Sequence, residues 1–184
     1  MRINLRLWLV VLGMVIGLGI PAQAQNGLQS GDEFETLMQK IRQDFVANPA
    51  IDEALDGSFT DVDYASIQRT NWPPLVHVER ISDLVFAYTN PKNKHFGEEA
   101  LYDKIVKGLE FWHERNPWCH NWWYNQISEP QKLGVLLIQM RTGKKQLPAD
   151  LEKKILDRVR EDGGDPAKWT GANRTDIALH WIYR

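Results

Sequence analysis

Apolar residues in this chain recur three and four positions apart, segment after segment, and no β-rich alternating stretch interrupts them. That spacing restricts the fold to packed helices. Phe34, Leu37, Met38, Ile41 and Phe45 share one face of a helix expected from residue 30 or 31 to about 47, with Asp32 and Glu33 at the positive end of its dipole. Asn48-Pro49 ends it. Val76, Ile81, Leu84, Val85 and Tyr88 place a second helix over 75–89, opened by Pro73-Pro74 and stopped by Asn90-Pro91. Leu101, Ile105, Leu109 and Trp112 place a third over 98–115.

A fourth helix is expected from Ser128, where Ser-Glu-Pro-Gln has the pattern of a capping box. Leu133, Val135, Leu136, Leu137, Ile138 and Met140 make it apolar nearly all round, so it should be the most buried. Leu151, Ile155, Leu156 and Val159 place a fifth over 149–160, and a last helix follows Arg174. Residues 50–73 read as irregular. Their aspartates lack the spacing of a calcium loop and suit turns and caps. The fold class is all-α: antiparallel helical hairpins, each unit about 45–50 residues long, a size that suits a ring or solenoid of helix pairs.

Between the third and fourth helices lies Pro-Trp-Cys-His-Asn-Trp-Trp-Tyr-Asn-Gln-Ile, residues 117–127. It sets Trp118, Trp122, Trp123 and Tyr124 among the amides of Asn121, Asn125 and Gln126, with no acid, Lys or Arg. Aromatic planes accept the C–H face of a sugar ring, and amides bond the hydroxyls at its rim. Wedging helices apart and filling a core is the competing use of the same indoles. Chain direction adds a second indication. If 98–115 runs up, the loops 117–127 and 163–173 both lie at the top of the stack, together with Trp122, Trp123, Trp169, Asn173 and Arg174. The bottom turns 90–97 and 142–148 carry Lys and Gly and lack Trp. Helix packing alone would not sort Trp to one end. Asn173 has two uses open: capping the last helix, or acting as an uncharged double donor to a bound anion. Arg174 is a candidate partner for a carboxylate or sulfate, or for a surface acid such as Asp176.

Charge and composition remove other classes. The chain has 184 residues, a formal net charge of -2 and 43% apolar residues, a normal globular composition. No basic run exceeds the pairs Lys144-Lys145 and Lys153-Lys154, so no nucleic-acid partner is expected. Arg2 and Arg6 precede an uncharged apolar run over 7–20, shorter than the roughly 20 residues of a spanning helix. Pro21 and Ala22-Gln23-Ala24 follow, so residues 1–24 read as a secretory signal peptide, with a retained anchor as the alternative. The remaining 25–184, one domain, would be secreted or periplasmic and without stable membrane association. Removing Arg2 and Arg6 leaves 20 basic against 24 acidic residues, a mildly acidic -4. Cys119 is the sole cysteine, so no intrachain disulfide can form.

Asn121-Trp122-Trp123 with Ile127 and Pro130, followed by Thr170-Gly171-Ala172-Asn173-Arg174-Thr175-Asp176, resembles polysaccharide lyase family 8. That family includes chondroitin AC, hyaluronate and xanthan lyases. Thr175-Asp176-Ile177-Ala178-Leu179-His180 looks most like its chondroitin AC branch. The resemblance covers roughly 30–184 and is strongest over 117–184. It implies an incomplete α/α toroid, of which these hairpins form the N-terminal part. It implies β-elimination at a uronate of an acidic polysaccharide, by a monomer, with no cofactor and no metal ligand assigned. Carried over residue by residue, Asn173 binds the uronate carboxylate and is the catalytic candidate. Trp122 and Trp123 lay the polymer in the cleft, with Asn121, Asn125, Trp169 and Arg174 as further substrate-binding candidates.

The family's base and acid are a His and a Tyr in and after a Gln-His-Gly context that this chain lacks. His120 and Tyr124 stand outside that context and are not assigned to those roles. The final Trp181-Ile182-Tyr183-Arg184 has no helix stop, which suits the first third or less of a longer lyase, inactive by itself. Two rivals use the same loops: a non-catalytic carbohydrate-binding helical domain, and an α/α-toroid glycoside hydrolase whose best paired acids are Glu129 and Asp165. The latter two already suit a helix cap and a turn before Pro166.

Overall fold

The computed structural model describes Glu35, Thr36, Met38 and residues 56–183. The chain divides into two compact units, Met1–Ile41 and Arg42–Arg184. In the first, Glu35, Thr36 and Met38 are helical. The rest of the helix expected from residue 30 or 31 to about 47, and the leader 1–24, lie outside the described residues. Among its described residues the second unit holds five α-helices: α1 (Leu75–Thr89), α2 (Glu99–Arg115), α3 (Glu129–Met140), α4 (Ala149–Asp162) and α5 (Gly171–Ile182). No strand occurs among the described residues, and no helix there is long and apolar enough to cross a membrane.

The helices form where the apolar spacing predicts them. α1 buries Val78, Ile81, Leu84, Val85 and Tyr88, while Val76, expected inward, is half exposed and His77 takes an inward place. α2 buries Leu101, Ile105, Leu109 and Trp112 and ends at Asn116, whose φ of 45° puts it in the left-handed region that stops a helix. Nine of the twelve residues of α3 are buried, in line with its all-round apolar surface. It packs against α1, α4 and α5, while α2 packs against α1 and α4. At Gly108 the two hairpin partners come so close that an added Cβ would sit 2.2 Å from Ile81 Cδ1.

The bottom end is fastened by two tyrosines. Tyr88 accepts a hydrogen bond from Lys145 N at 2.8 Å, and Tyr102 donates to Gln146 O at 2.9 Å. Lys145 reaches Glu99 at 2.6 Å and lies over the Tyr102 ring. This fixes the turn 142–148 and leaves the long loops to the other end. Beside α1, the Tyr64 hydroxyl accepts from Phe59 N and bonds His77 Nδ1 at 2.9 Å, and His77 Nε2 bonds Gly108 O at 2.9 Å. A neutral ring with its proton on Nε2 satisfies both contacts.

Candidate functional site

The Trp stretch is less of a loop than its sequence suggests. Helical conformation starts at Trp122, not Ser128, and passes through a π-turn, Tyr124–Ser128, before α3. Asn121 caps that start: its side-chain oxygen accepts from Trp123 N at 3.2 Å, two residues on. Ser128, expected as a capping residue, has helical backbone, makes no side-chain cap bond and is buried. In the π-turn Glu129 N donates to Tyr124 O, one residue further back than in an α-helix. The inserted residue turns the Trp122–Trp123 segment relative to α3.

Two asparagines build this corner. Asn125 is 1% exposed; its Nδ2 donates to Cys119 O at 2.7 Å and its oxygen accepts from Cys119 N at 3.0 Å. Both ends of its amide are thus engaged inside the fold, so its role is to close the loop and not to touch a ligand. Asn121 also donates to Arg69 O at 2.9 Å, and Cys119 Sγ donates to Gln68 O at 3.2 Å. The exposed segment 67–71 therefore lines the same corner. Sequence reading treated it only as part of an irregular stretch, since backbone acceptors leave no mark on residue type.

The aromatics divide. Trp72 is buried against Trp112 and Tyr124, while Trp118 and Trp123 are 53% and 39% exposed. Trp122 stacks on Trp169, with ring centroids 4.2 Å apart and planes at 21°. The loops 117–127 and 163–173 therefore meet at one end, as chain direction implied. Gly164 lies where a Cβ would be 2.6 Å from Gln126 Oε1, and Trp181 Nε1 donates to Gly164 O at 3.0 Å. A cavity of about 400 Å³ opens there, lined by Gln126, Gly163, Gly164, Lys168 and Trp169 with three acids, Glu161, Asp162 and Asp165. Burial raises the pKa of Asp162, against the pull of Arg158. Asp165 accepts from Ala167 N and caps the 3-10 turn Pro166–Lys168.

The last helix starts earlier than expected. Thr170 is the N-cap and makes no side-chain cap bond; Gly171, with φ 59°, is the first residue of α5. Asn173 is therefore the third residue of α5 and not its cap. It is half exposed, and among the described residues its amide makes no hydrogen bond. Arg174 is exposed and forms no ion pair among them, Asp176 included. His120 is exposed beside the aromatic corner. Among the described residues no group of three or more His, Cys, Asp or Glu is placed to hold a metal ion.

Sequence reasoning missed the group beneath the corner. Glu129 and Arg158 form a buried ion pair, 2% and 6% exposed, at 2.5 Å. Trp112 Nε1 donates to the same carboxylate oxygen at 2.9 Å. Burial pushes the Glu129 carboxyl up; the charge and hydrogen bond of Arg158 oppose that. An acid committed in this way is no half of a hydrolytic pair with Asp165.

Residues 23–184 match the family model described as polysaccharide lyase family 8, N terminal alpha-helical domain. The chain is 42% identical over 129 residues to a chondroitinase-AC of Pedobacter heparinus, covering 70% of this chain and 18% of that protein. It is 31% identical over 110 residues to the polysaccharide lyase 8 family protein HylA of Enterococcus faecalis, covering 54% of this chain and 8% of that protein. The chain thus spans less than a fifth of either relative's length. A solved structure of a chondroitinase AC lyase, studied as enzyme–oligosaccharide complexes, matches with a TM-score of 0.67 and 35% identity, over 86% of this chain and 22% of that one. The shared architecture is that of helical hairpins forming part of an α/α toroid.

Proposed function

The chain belongs to polysaccharide lyase family 8, and from that membership we propose that it forms the N-terminal helical part of an exported lyase cleaving a uronate-bearing glycosaminoglycan, of the chondroitin or hyaluronan type, by β-elimination. The observation that carries this reading is the stack of Trp122 on Trp169. It joins two motif-bearing loops that are remote in sequence. Trp122, Trp123 and Trp169 offer the polymer an aromatic floor, and Asn121 stands at its rim. Arg174 adds a cation for carboxylate or sulfate.

β-Elimination needs the uronate carboxylate neutralised, the C5 proton removed and the departing O4 protonated. Asn173 answers the first need. As C5 loses its proton, charge moves onto the carboxylate oxygens. An amide aimed at them strengthens its bond as that charge grows, so it favours the transition state over the ground state. Its place in the first turn of α5 adds the positive end of a helix dipole. The proton-transfer pair lies elsewhere in the complete enzyme, since no His here sits in a Gln-His-Gly context. The test is digestion of chondroitin and hyaluronan by the complete enzyme, followed by absorbance of unsaturated uronate ends. Cleavage without unsaturated ends would refute a lyase, and unchanged kcat in Asn173→Ala would remove Asn173 from the chemistry.

A further inference from the structure

Arg158 lies on α4, yet its side-chain hydrogen bonds go to the two ends of the Trp stretch. Its Nε donates to Glu129 Oε1, at the start of α3. Its Nη2 donates to Pro117 O at 2.8 Å, and its Nη1 to Asn116 Oδ1. The guanidinium carbon sits 5.3 Å from the centroid of the Trp112 ring, in the last turn of α2. One planar group thus grips the segment where it leaves α2 and where it enters α3. Everything between, including the loop, Trp122, Trp123 and the π-turn, is held at both ends by Arg158.

A buried ion pair is weak evidence for a stabilising role, because well-packed apolar residues often serve as well or better. Glu129 Oε2 has no hydrogen-bond partner here, which adds to the cost of keeping the charge. What apolar residues cannot supply is direction. A guanidinium aims several donors in a fixed plane, and a Lys, as a point charge, does not reproduce the fork. α4 also runs directly into Gly163 and Gly164, where the second loop begins. The helix that anchors the first loop therefore also mounts the second.

We propose that Arg158, with Glu129 and, 3.8 Å away, Asp162 as its counter-charges, is a positioning residue for the aromatic floor: it fixes both ends of 116–128 and so sets where Trp122 and Trp123 stand against Trp169. This inference rests on the polymer-binding reading of that floor. It assigns no contact with substrate to Arg158.

The test uses the complete enzyme. Arg158→Lys keeps a cation beside Glu129 and loses the fork. The polymer KM should rise about three- to tenfold, within the range a lost aromatic stacking contact produces, with kcat nearly unchanged. Amide exchange over 116–121 should quicken. In a cycle with Trp122→Ala, Arg158→Lys should add little further increase in KM, since both act through one floor. Independent, multiplying losses would overturn the inference in favour of a general structural role. Glu129→Gln with Arg158→Met removes both charges, while the amide oxygen placed there still accepts from Trp112. It should recover the melting temperature but not KM, and recovery of both would also overturn the inference. The same double variant carries the measurements if Arg158→Lys does not fold. Should Trp122→Ala raise KM and Arg158→Lys not, positioning alone fails. Should Trp122→Ala leave KM unchanged, the polymer-binding reading fails and takes this inference with it.

Discussion

His77 should make this fold lose stability in mild acid, well above the pH at which most carboxylates titrate. Its ring is fully buried, stacked 5.3 Å from Trp112, and held neutral between the Tyr64 hydroxyl and Gly108 O. Desolvation by burial lowers its pKa from 6.5 to about 4; the Gly108 bond opposes this, and the charge of Arg80 adds slightly to it. In the unfolded chain the ring takes up a proton near its ordinary pKa, whereas in the folded chain it does so only near 4. The unfolded state therefore binds more protons throughout that window, so stability falls as pH falls. The full contribution is about 3 kcal/mol, and about 2 kcal/mol of it is gone by pH 5. Urea unfolding of the chain at several pH values between 4.5 and 7.5, roughly the window those two pKa values define, reads this directly. Gln in place of His77 keeps a donor for Gly108 and an acceptor for Tyr64 and does not titrate. His77→Gln should lose some stability at neutral pH and show a much flatter slope below it. Equal slopes in both proteins would refute the argument and place the acid sensitivity in groups other than His77, since Asp56 and Asp61, whose pKa values are lowered by their hydrogen bonds, titrate below this window.

Three further outcomes test the site. Trp122→Ala and Trp123→Ala in the complete enzyme should each weaken polymer binding by about 0.5–1.5 kcal/mol, and Trp169→Ala should match Trp122→Ala because each ring supports the other. Unchanged KM and rate in all three would leave these indoles as packing. Asn173→Ala should lower kcat about 10²–10³-fold where the analogy with an oxyanion-hole donor holds, more than it raises KM. Asn173→Asp should be worse in turnover, since it sets a negative charge beside the uronate. Yet it should hold the melting temperature, because an acid suits the first turn of α5; a lower melting temperature with normal kcat would mark a structural residue. The present chain, incubated alone with uronate polymers, should release no unsaturated product, and any such product would bring His120 and Tyr124 back as base and acid.

Much of this was legible because helical spacing and proline punctuation are local signals. Pro73-Pro74 and Asn90-Pro91 bracket α1, which spans Leu75–Thr89 as read. The meeting of the two loops was legible from chain direction alone. What escaped depends on partners distant in sequence. Arg158 sits on the stripe of Leu151, Ile155 and Val159, and a cation on an apolar stripe must find an acid. That much the spacing contained. It did not say that the acid is Glu129 or that the same fork reaches back to Pro117.

The helix starts misled for a different reason. A π-turn inserts one residue and breaks the three-and-four spacing, so α3 seemed to open at Ser128 when Asn121 had already capped a helical turn. At α5 the displacement matters for the chemistry. Gly171 takes a φ of 59° that other residues rarely adopt, and the helix begins two residues before Asn173. From the sequence, Asn173 could be explained as a cap and nothing more. At the third helical position it no longer serves as the N-cap, and its amide has no partner among the described residues. The N-cap explanation falls away, which leaves room for the proposed double donor: an amide unpartnered among the described residues, at the positive end of a helix, on the side of the fold where the tryptophans gather.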